Sequence, residues 1–160
     1  MHSFQLSGLP AQNFSALFEL DDAQLAERAI QRVTAEAHPG YPCRVGLVDA
    51  EVGDELLLLP FEHQSAASPY RASGPIFVSR RTHAQDLAAG RLPPYLTRRL
   101  VSVRAYDAAD RMVDADVVDG NALAELITRI LDNADVAYLH LHAARRGCYL
   151  CRVDRVAISP

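Results

Sequence analysis

The sequence predicts an α+β protein with a mostly antiparallel β-sheet, and three observations carry that class. Short apolar or alternating runs, bounded by Gly, Pro, Asn and Asp, recur along the 160 residues as strands do. Only Asn121 to Leu131 carries a full helical stripe: Leu123, Leu126, Ile127, Ile130 and Leu131 fall at i, i+3, i+4, i+7 and i+8. Strands and helices are interspersed but do not alternate, unlike the repeating units of a parallel α/β sheet. A chain of this length suits a single domain, residues 1–160, whose core needs no disulfide or metal as a staple.

Each element has its own warrant. Phe4–Leu9 alternates weakly and predicts a first strand closed by Pro10; Asn13 or Ser15 opens a helical turn through Leu20. Asp21 and Asp22 put acids at the start of a short helix, about 21–29, with Leu25, Ala26 and Ala29 on one face. The β-branched Val33 and Thr34 turn Ile30–Ala35 into a strand. His38-Pro-Gly-Tyr-Pro42 breaks regular structure, and Cys43–Val48 follows as a short strand. The apolar run in Glu55–Phe61 predicts a central strand buried on both faces. Glu62–Ser73 is then a polar loop, and Gly74–Ser79 a strand with proline near its start. Arg80–Tyr95 is an excursion with one helical turn at Ala84–Ala89. Thr97–Tyr106 alternates cleanly, with Val101, Val103 and Ala105 opposed to Ser102, Arg104 and Tyr106. Arg111–Val118 pairs with it across a turn at Asp107–Asp110. The helix about 121–131, capped by Asp119 or Asn121, precedes the last strands, Val136–Ala143 and Cys148–Val156.

Composition excludes several functions. A net charge of −4 and a pI near 5.8 argue against an unspecific nucleic-acid binder. All sixteen basic residues are arginine. That removes Schiff-base and lysine general-base chemistry and supplies planar forks suited to carboxylate or phosphate. The longest apolar run, Leu56 to Phe61, is far too short for a bilayer, and the N-terminus lacks the features of a secretory signal. Three cysteines suggest no disulfide framework. The expectation is a cytoplasmic protein with reduced thiols, no nucleic-acid partner and no membrane partner.

The terminal hairpin, Tyr138-Leu-His-Leu-His-Ala-Ala-Arg-Arg-Gly-Cys-Tyr149, concentrates the chemistry. A three-residue loop Arg145-Arg146-Gly147, with glycine left-handed, pairs Ala143 with Tyr149, His142 with Leu150, Leu141 with Cys151 and His140 with Arg152. One face is then Leu139, Leu141, Ala143, Tyr149, Cys151 and Val153; the other is Tyr138, His140, His142, Cys148, Arg152 and Asp154. His140 and His142 project together and hold a divalent metal if a third ligand such as His63 approaches. Cys148-x-x-Cys151 completes the text of a zinc motif, but strand parity puts the two thiols on opposite faces. The plainer alternative is a half-exposed strand face whose histidines bond neighbouring groups.

Other candidates are fewer. Cys43 beside Arg44 is a candidate nucleophile, since a cation lowers a thiol's pKa; a small buried residue is the competing reading. Glu62, His63, Tyr70, Arg71 and Ser73 form a candidate binding loop. Asp114 and Asp116 share a strand face as solvated acids do. There is no phosphate-binding glycine loop and no nucleophile elbow. The blocks Gly-Tyr-Pro-Cys-Arg44, Leu-Leu-Leu-Pro-Phe61, Ser-Pro-Tyr-Arg-Ala-Ser-Gly-Pro-Ile-Phe-Val78, Arg-Ala-Tyr-Asp107, Met-Val-Asp-Ala-Asp116 and the terminal hairpin resemble an uncharacterised bacterial family, a domain of unknown function numbered 1203 in its series. The resemblance covers nearly the whole chain and implies a compact bacterial protein; it brings no activity, cofactor or catalytic residue.

The residues therefore predict a small-molecule-binding protein or enzyme. Arg44, Arg71 and Arg152, with His63 and Tyr70, would hold an anionic ligand, and His140, His142 and Cys43 would supply catalytic capacity. The alternatives are a His-x-His metal-dependent enzyme and a non-catalytic interaction protein whose polar face is solvated or covered, with a homo-oligomer formed at an edge strand. Nothing in the sequence names a cofactor.

Overall fold

A computed structural model describes residues 2–83 and 85–157. The α+β, mostly antiparallel class holds, with the strands divided between two five-stranded sheets. The first has the order β1-β10-β9-β7-β8 and is antiparallel throughout, from β1 (His2–Ser7), β10 (Tyr149–Ala157), β9 (Tyr138–Ala143), β7 (Leu100–Tyr106) and β8 (Met112–Asp119). The second has the order β2-β5-β6-β3-β4, from β2 (Gln31–Thr34), β5 (Glu55–Gln64), β6 (Ala72–Ser79), β3 (Pro42–Cys43) and β4 (Val48–Asp49), with β3 parallel to β6.

One face of the first sheet is covered by a twelve-residue helical segment, a turn of 3-10 helix at Gly120–Ala122 running into α3 (Leu123–Leu131). The Asp119 carboxylate accepts from the Asn121 amide at 2.9 Å and satisfies one of the helix's free donors. The predicted stripe is buried against Val101, Val103, Ala105, Leu139, Leu141 and Val153. Gly120 is where this segment meets α2 (Pro94–Thr97): a Cβ there would stand 2.2 Å from the Leu96 carbonyl oxygen. On the second sheet, Leu57, Leu59, Ile76 and Val78 pack beneath Phe14, Phe18, Leu25 and Ile30 of the N-terminal segment. Within that segment α1 (Asp22–Ala26) begins with a capping box: the Asp21 carboxylate accepts from the Gln24 amide and the Gln24 side chain accepts from the Asp21 amide. Ala29, at φ 57°, ends the helical stretch and β2 follows.

Four local expectations change. Cys43–Val48 is two short bridging strands around a tight loop, with Leu47 left-handed at φ 51°. The strand predicted to stop at Phe61 runs on to Gln64, so the loop shrinks to 65–71. Pro60 is tolerated there because it stands opposite Pro75, and two residues lacking an N–H suit a non-hydrogen-bonded pair. Thr97 belongs not to the strand but to the short α2, started by the Pro93-Pro94 pair. Ala84 lies outside the described residues, and no helical turn follows it at 85–89.

The hairpin register holds from Leu141 opposite Cys151 down to Tyr138 opposite Asp154. Near the turn it does not: Leu150 is an extra residue and Tyr149 faces His142. The bulge lets Leu150 and Cys151 both enter the helix-side core and moves Tyr149 to the histidine face, a correction to its predicted place. Gly147 is left-handed as expected, at φ 79°.

Candidate functional site

Two neighbouring features meet at this hairpin. The first is a cluster of imidazoles on the face of the first sheet away from α3. His140 and His142 are not solvated; they are 4% and 0% exposed. What covers them is the far end of β5. There Glu62 faces Ser73 and Gln64 faces Ala72, so His63 is the extra residue of a second bulge. The distortion sends both His63 and Gln64 toward the first sheet. The His63 ring stacks on Tyr149 with centres 5.4 Å apart, and the Gln64 amide donates to the Tyr138 hydroxyl at 2.9 Å. That hydroxyl donates in turn to Asp110 at 2.6 Å. Burial and then the Asp110 carboxylate push the Tyr138 phenol up to about 12. Tyr106 closes the wall, its ring centre 5.2 Å from those of Tyr138 and His140.

All three imidazoles are held neutral. Burial, followed by the neighbouring His142 and His63, takes His140 down to about 3. Burial takes His142 down to about 4, against the opposing pull of its bond to the Gly147 carbonyl. Burial and then the Arg104 charge lower His63. The contact of 2.9 Å between His142 Nδ1 and the Gly147 carbonyl oxygen fixes a tautomer. A carbonyl only accepts, so Nδ1 carries the proton and Nε2 presents a lone pair. That Nε2, both nitrogens of His63 and Nδ1 of His140 are buried without a hydrogen-bond partner.

The second feature is a cleft of about 670 Å³ walled by both sheets. Arg44, Arg98, Arg99, Arg145 and Arg146 line it, and Leu58, Pro75, Phe77, Leu100 and Ala143 give it an apolar side. Arg44 is 3% exposed. Its Nε donates to the Tyr149 carbonyl at 2.8 Å and its Nη1 to the Pro42 carbonyl. Among the described residues Arg44 forms no ion pair, and its Nη2 makes no hydrogen bond. Arg99 grips the fully buried Asp49 carboxylate in a two-point contact, one arm at 3.1 Å, with Arg98 at 3.6 Å. Arg145 and Arg146, exposed on the hairpin turn, have no ion-pair partner among the described residues.

The structure therefore brings His63, His140 and His142 together and puts Arg44 next door, bonded through the backbone of Tyr149. Tyr70 stands at the rim, its ring edge-on to Tyr106 at 6.3 Å. Arg152 lies over the Tyr138 ring at 4.0 Å, but its charge is taken by Asp154 at 2.8 Å. Arg71 points out and pairs with Glu62 at 3.0 Å. Cys43 is apart from the cluster, in the core under the N-terminal segment, with its Sγ 2.7 Å from the Thr82 hydroxyl. Cys148 lines the cleft while Cys151 is in the helix-side core, so the two do not form one ligand set. The Asp116 carboxylate pairs with Arg129 on the surface. Sequence reasoning missed Arg98, Arg99, Arg145 and Arg146 as a group; the two Arg-Arg pairs were visible, but not their convergence.

Fold and site define a two-sheet α+β protein with an arginine-lined cleft beside a buried histidine cluster. A family model described as "Protein of unknown function (DUF1203)" matches residues 40–155, and the chain belongs to that family. The matched span contains every arginine and histidine of the two features. No curated protein and no solved structure matches the chain. Among the described residues, no helix is long and apolar enough to cross a membrane.

Proposed function

We propose that this protein binds a small anionic molecule in the cleft, with the negative group held by Arg44 and flanked by Arg98, Arg99, Arg145 and Arg146. Arg44 carries the reading. A buried guanidinium is costly unless a negative partner compensates it, and the described residues supply none to this one. An anion entering the cleft provides that partner and finds the free Nη2 as a donor. Asp49 and Asp119 are the acids near these five arginines, and Asp49 is committed to Arg98 and Arg99. The apolar side formed by Leu58, Phe77 and Leu100 favours a ligand with an apolar body behind its charged head. The three thiols are free of disulfides, which supports a reducing compartment such as the cytoplasm.

Thermal unfolding in the presence of phosphate, aryl phosphates and aryl carboxylates tests this. At one hundred times its Kd a ligand adds about 2.7 kcal/mol, which in a chain of this size raises Tm by about 5–11 °C. The wild type shows such a rise for one ligand class and Arg44→Met shows none. Equal shifts in both proteins, or no shift with any anion, contradict the reading.

A further inference from the structure

We propose that the ligand of the cleft carries two anionic groups on a short apolar body, the inner group held by Arg44 and the outer one by Arg145 and Arg146 on the hairpin turn. The proposal rests on the anion reading of the cleft and deepens it by naming the class of ligand.

The cleft holds more positive charge than one anionic group neutralises. Five arginines line it, against the carboxylates of Asp119 at its wall and Asp49 nearby, a net +3 on a chain whose total is −4. Both acids are already engaged. Asp49 is gripped by Arg99 and Arg98, and Asp119 accepts from the backbone and side-chain amides of Asn121, each at 2.9 Å. Arg44, Arg145 and Arg146 remain without a carboxylate partner among the described residues. A single monoanion leaves two of these three charges unmatched, and like charges repel more strongly in a walled cleft than on open surface.

The three unmatched arginines occupy two places. Arg44 is the inner one, 3% exposed and anchored through Nε on the Tyr149 carbonyl. Arg145 and Arg146 are exposed on the turn. Arg146 is three residues from Tyr149, a stretch of at most about 11 Å, so the two charge centres are a small molecule's length apart. Beside the turn stands Leu100, whose carbonyl accepts from the Ala144 amide at 3.0 Å. It is 41% exposed and lines the cleft together with Ala143, Leu58 and Phe77. An apolar stretch next to two cationic stations suits charged ends joined by hydrocarbon. The cleft, at about 670 Å³, has the size of a site for a whole small molecule rather than a lone inorganic anion. The remaining residues of the chain are negative in sum and repel a polyanion long enough to leave the cleft. Joining two heads in one compact ligand makes the second contact intramolecular, so each strengthens the other.

Isothermal titration calorimetry on the full chain at fixed ionic strength tests this with two series of probes, α,ω-alkanedicarboxylates and α,ω-alkanediphosphonates. Each probe is compared with the single-headed acid of the same carbon count. The expected result is a length optimum in at least one series, where the two-headed probe binds about tenfold or more tighter than its single-headed counterpart. An Arg145→Gln/Arg146→Gln double variant, altered only at exposed positions and checked by circular dichroism, should lose that preference and keep a single-headed affinity close to wild type. Arg44→Met should lose the binding of both kinds of probe. If single-headed and two-headed probes bind the wild type equally at every length, the two-headed class is overturned while the anion site stands. A preference that survives in the double variant overturns the assignment of the outer group to Arg145 and Arg146. Absence of binding by every probe overturns this proposal together with the reading of the cleft on which it rests.

Discussion

The buried imidazoles should create a defined acid lability, and its size follows from the structure. An unfolded histidine titrates near 6.5, whereas folding holds His142 at about 4 and His140 at about 3. Between those values the unfolded chain binds more protons than the folded one, so stability rises with pH. The full stability is present above about pH 6.5 and is lost as pH falls toward the folded pKa values. From pH 6.5, where the unfolded histidine is half protonated, to pH 5 each group forfeits about 1.6 kcal/mol. The two together remove about 3 kcal/mol from a margin that for folded proteins is about 5–15 kcal/mol. Carboxylates contribute little in this interval because they are ionised in both states. Urea melts followed by circular dichroism at half-unit steps from pH 8 to pH 5 measure the slope. His142→Gln should have a shallower slope than the wild type, with His140 and His63 supplying what remains. A midpoint that stays level from pH 7 to pH 5 refutes the claim that these imidazoles are buried and neutral.

Three further substitutions test other parts of the account. Asp49→Asn removes the buried carboxylate held by Arg99 and Arg98; it should cost about 3–5 kcal/mol in urea melts, while the folded fraction binds anions more tightly because two arginines are released. Gly120→Ala drives a Cβ to 2.2 Å from the Leu96 carbonyl oxygen and should destabilise by about 3 kcal/mol or more, with Tm as the readout. Tyr138→Phe leaves the buried Gln64 amide without its acceptor and Asp110 without a donor. Its expected cost in the same assay is about 1–3 kcal/mol.

What the sequence revealed depends on whether the signal was local. β7 was legible because its alternation, Val101, Val103 and Ala105 against Ser102, Arg104 and Tyr106, matches a sheet buried on one side by α3. The helix was legible for the same reason, as was the hairpin register below Leu141. The tail of β5 was not. Glu62-His63-Gln64 is polar because it leaves the core and covers an imidazole face, and polarity after a proline reads as loop. Nor could pattern locate the bulges at His63 and Leu150, which turn Tyr149 toward His142 and put His63 over both. The arginine cleft was the least legible feature. Arg44, the Arg98-Arg99 pair and the Arg145-Arg146 pair come from well-separated parts of the chain, and only the pairing of two sheets gathers them.

The central claim is that Arg44 waits for an anion in the cleft, and the most direct measurement is anomalous scattering from a crystal soaked with selenate, a tetrahedral stand-in for phosphate. The account predicts a selenium peak placed so that a selenate oxygen lies within hydrogen-bonding distance of Arg44 Nη2, absent in Arg44→Met crystals. Selenium peaks elsewhere, with only ordered water facing Nη2, would contradict it.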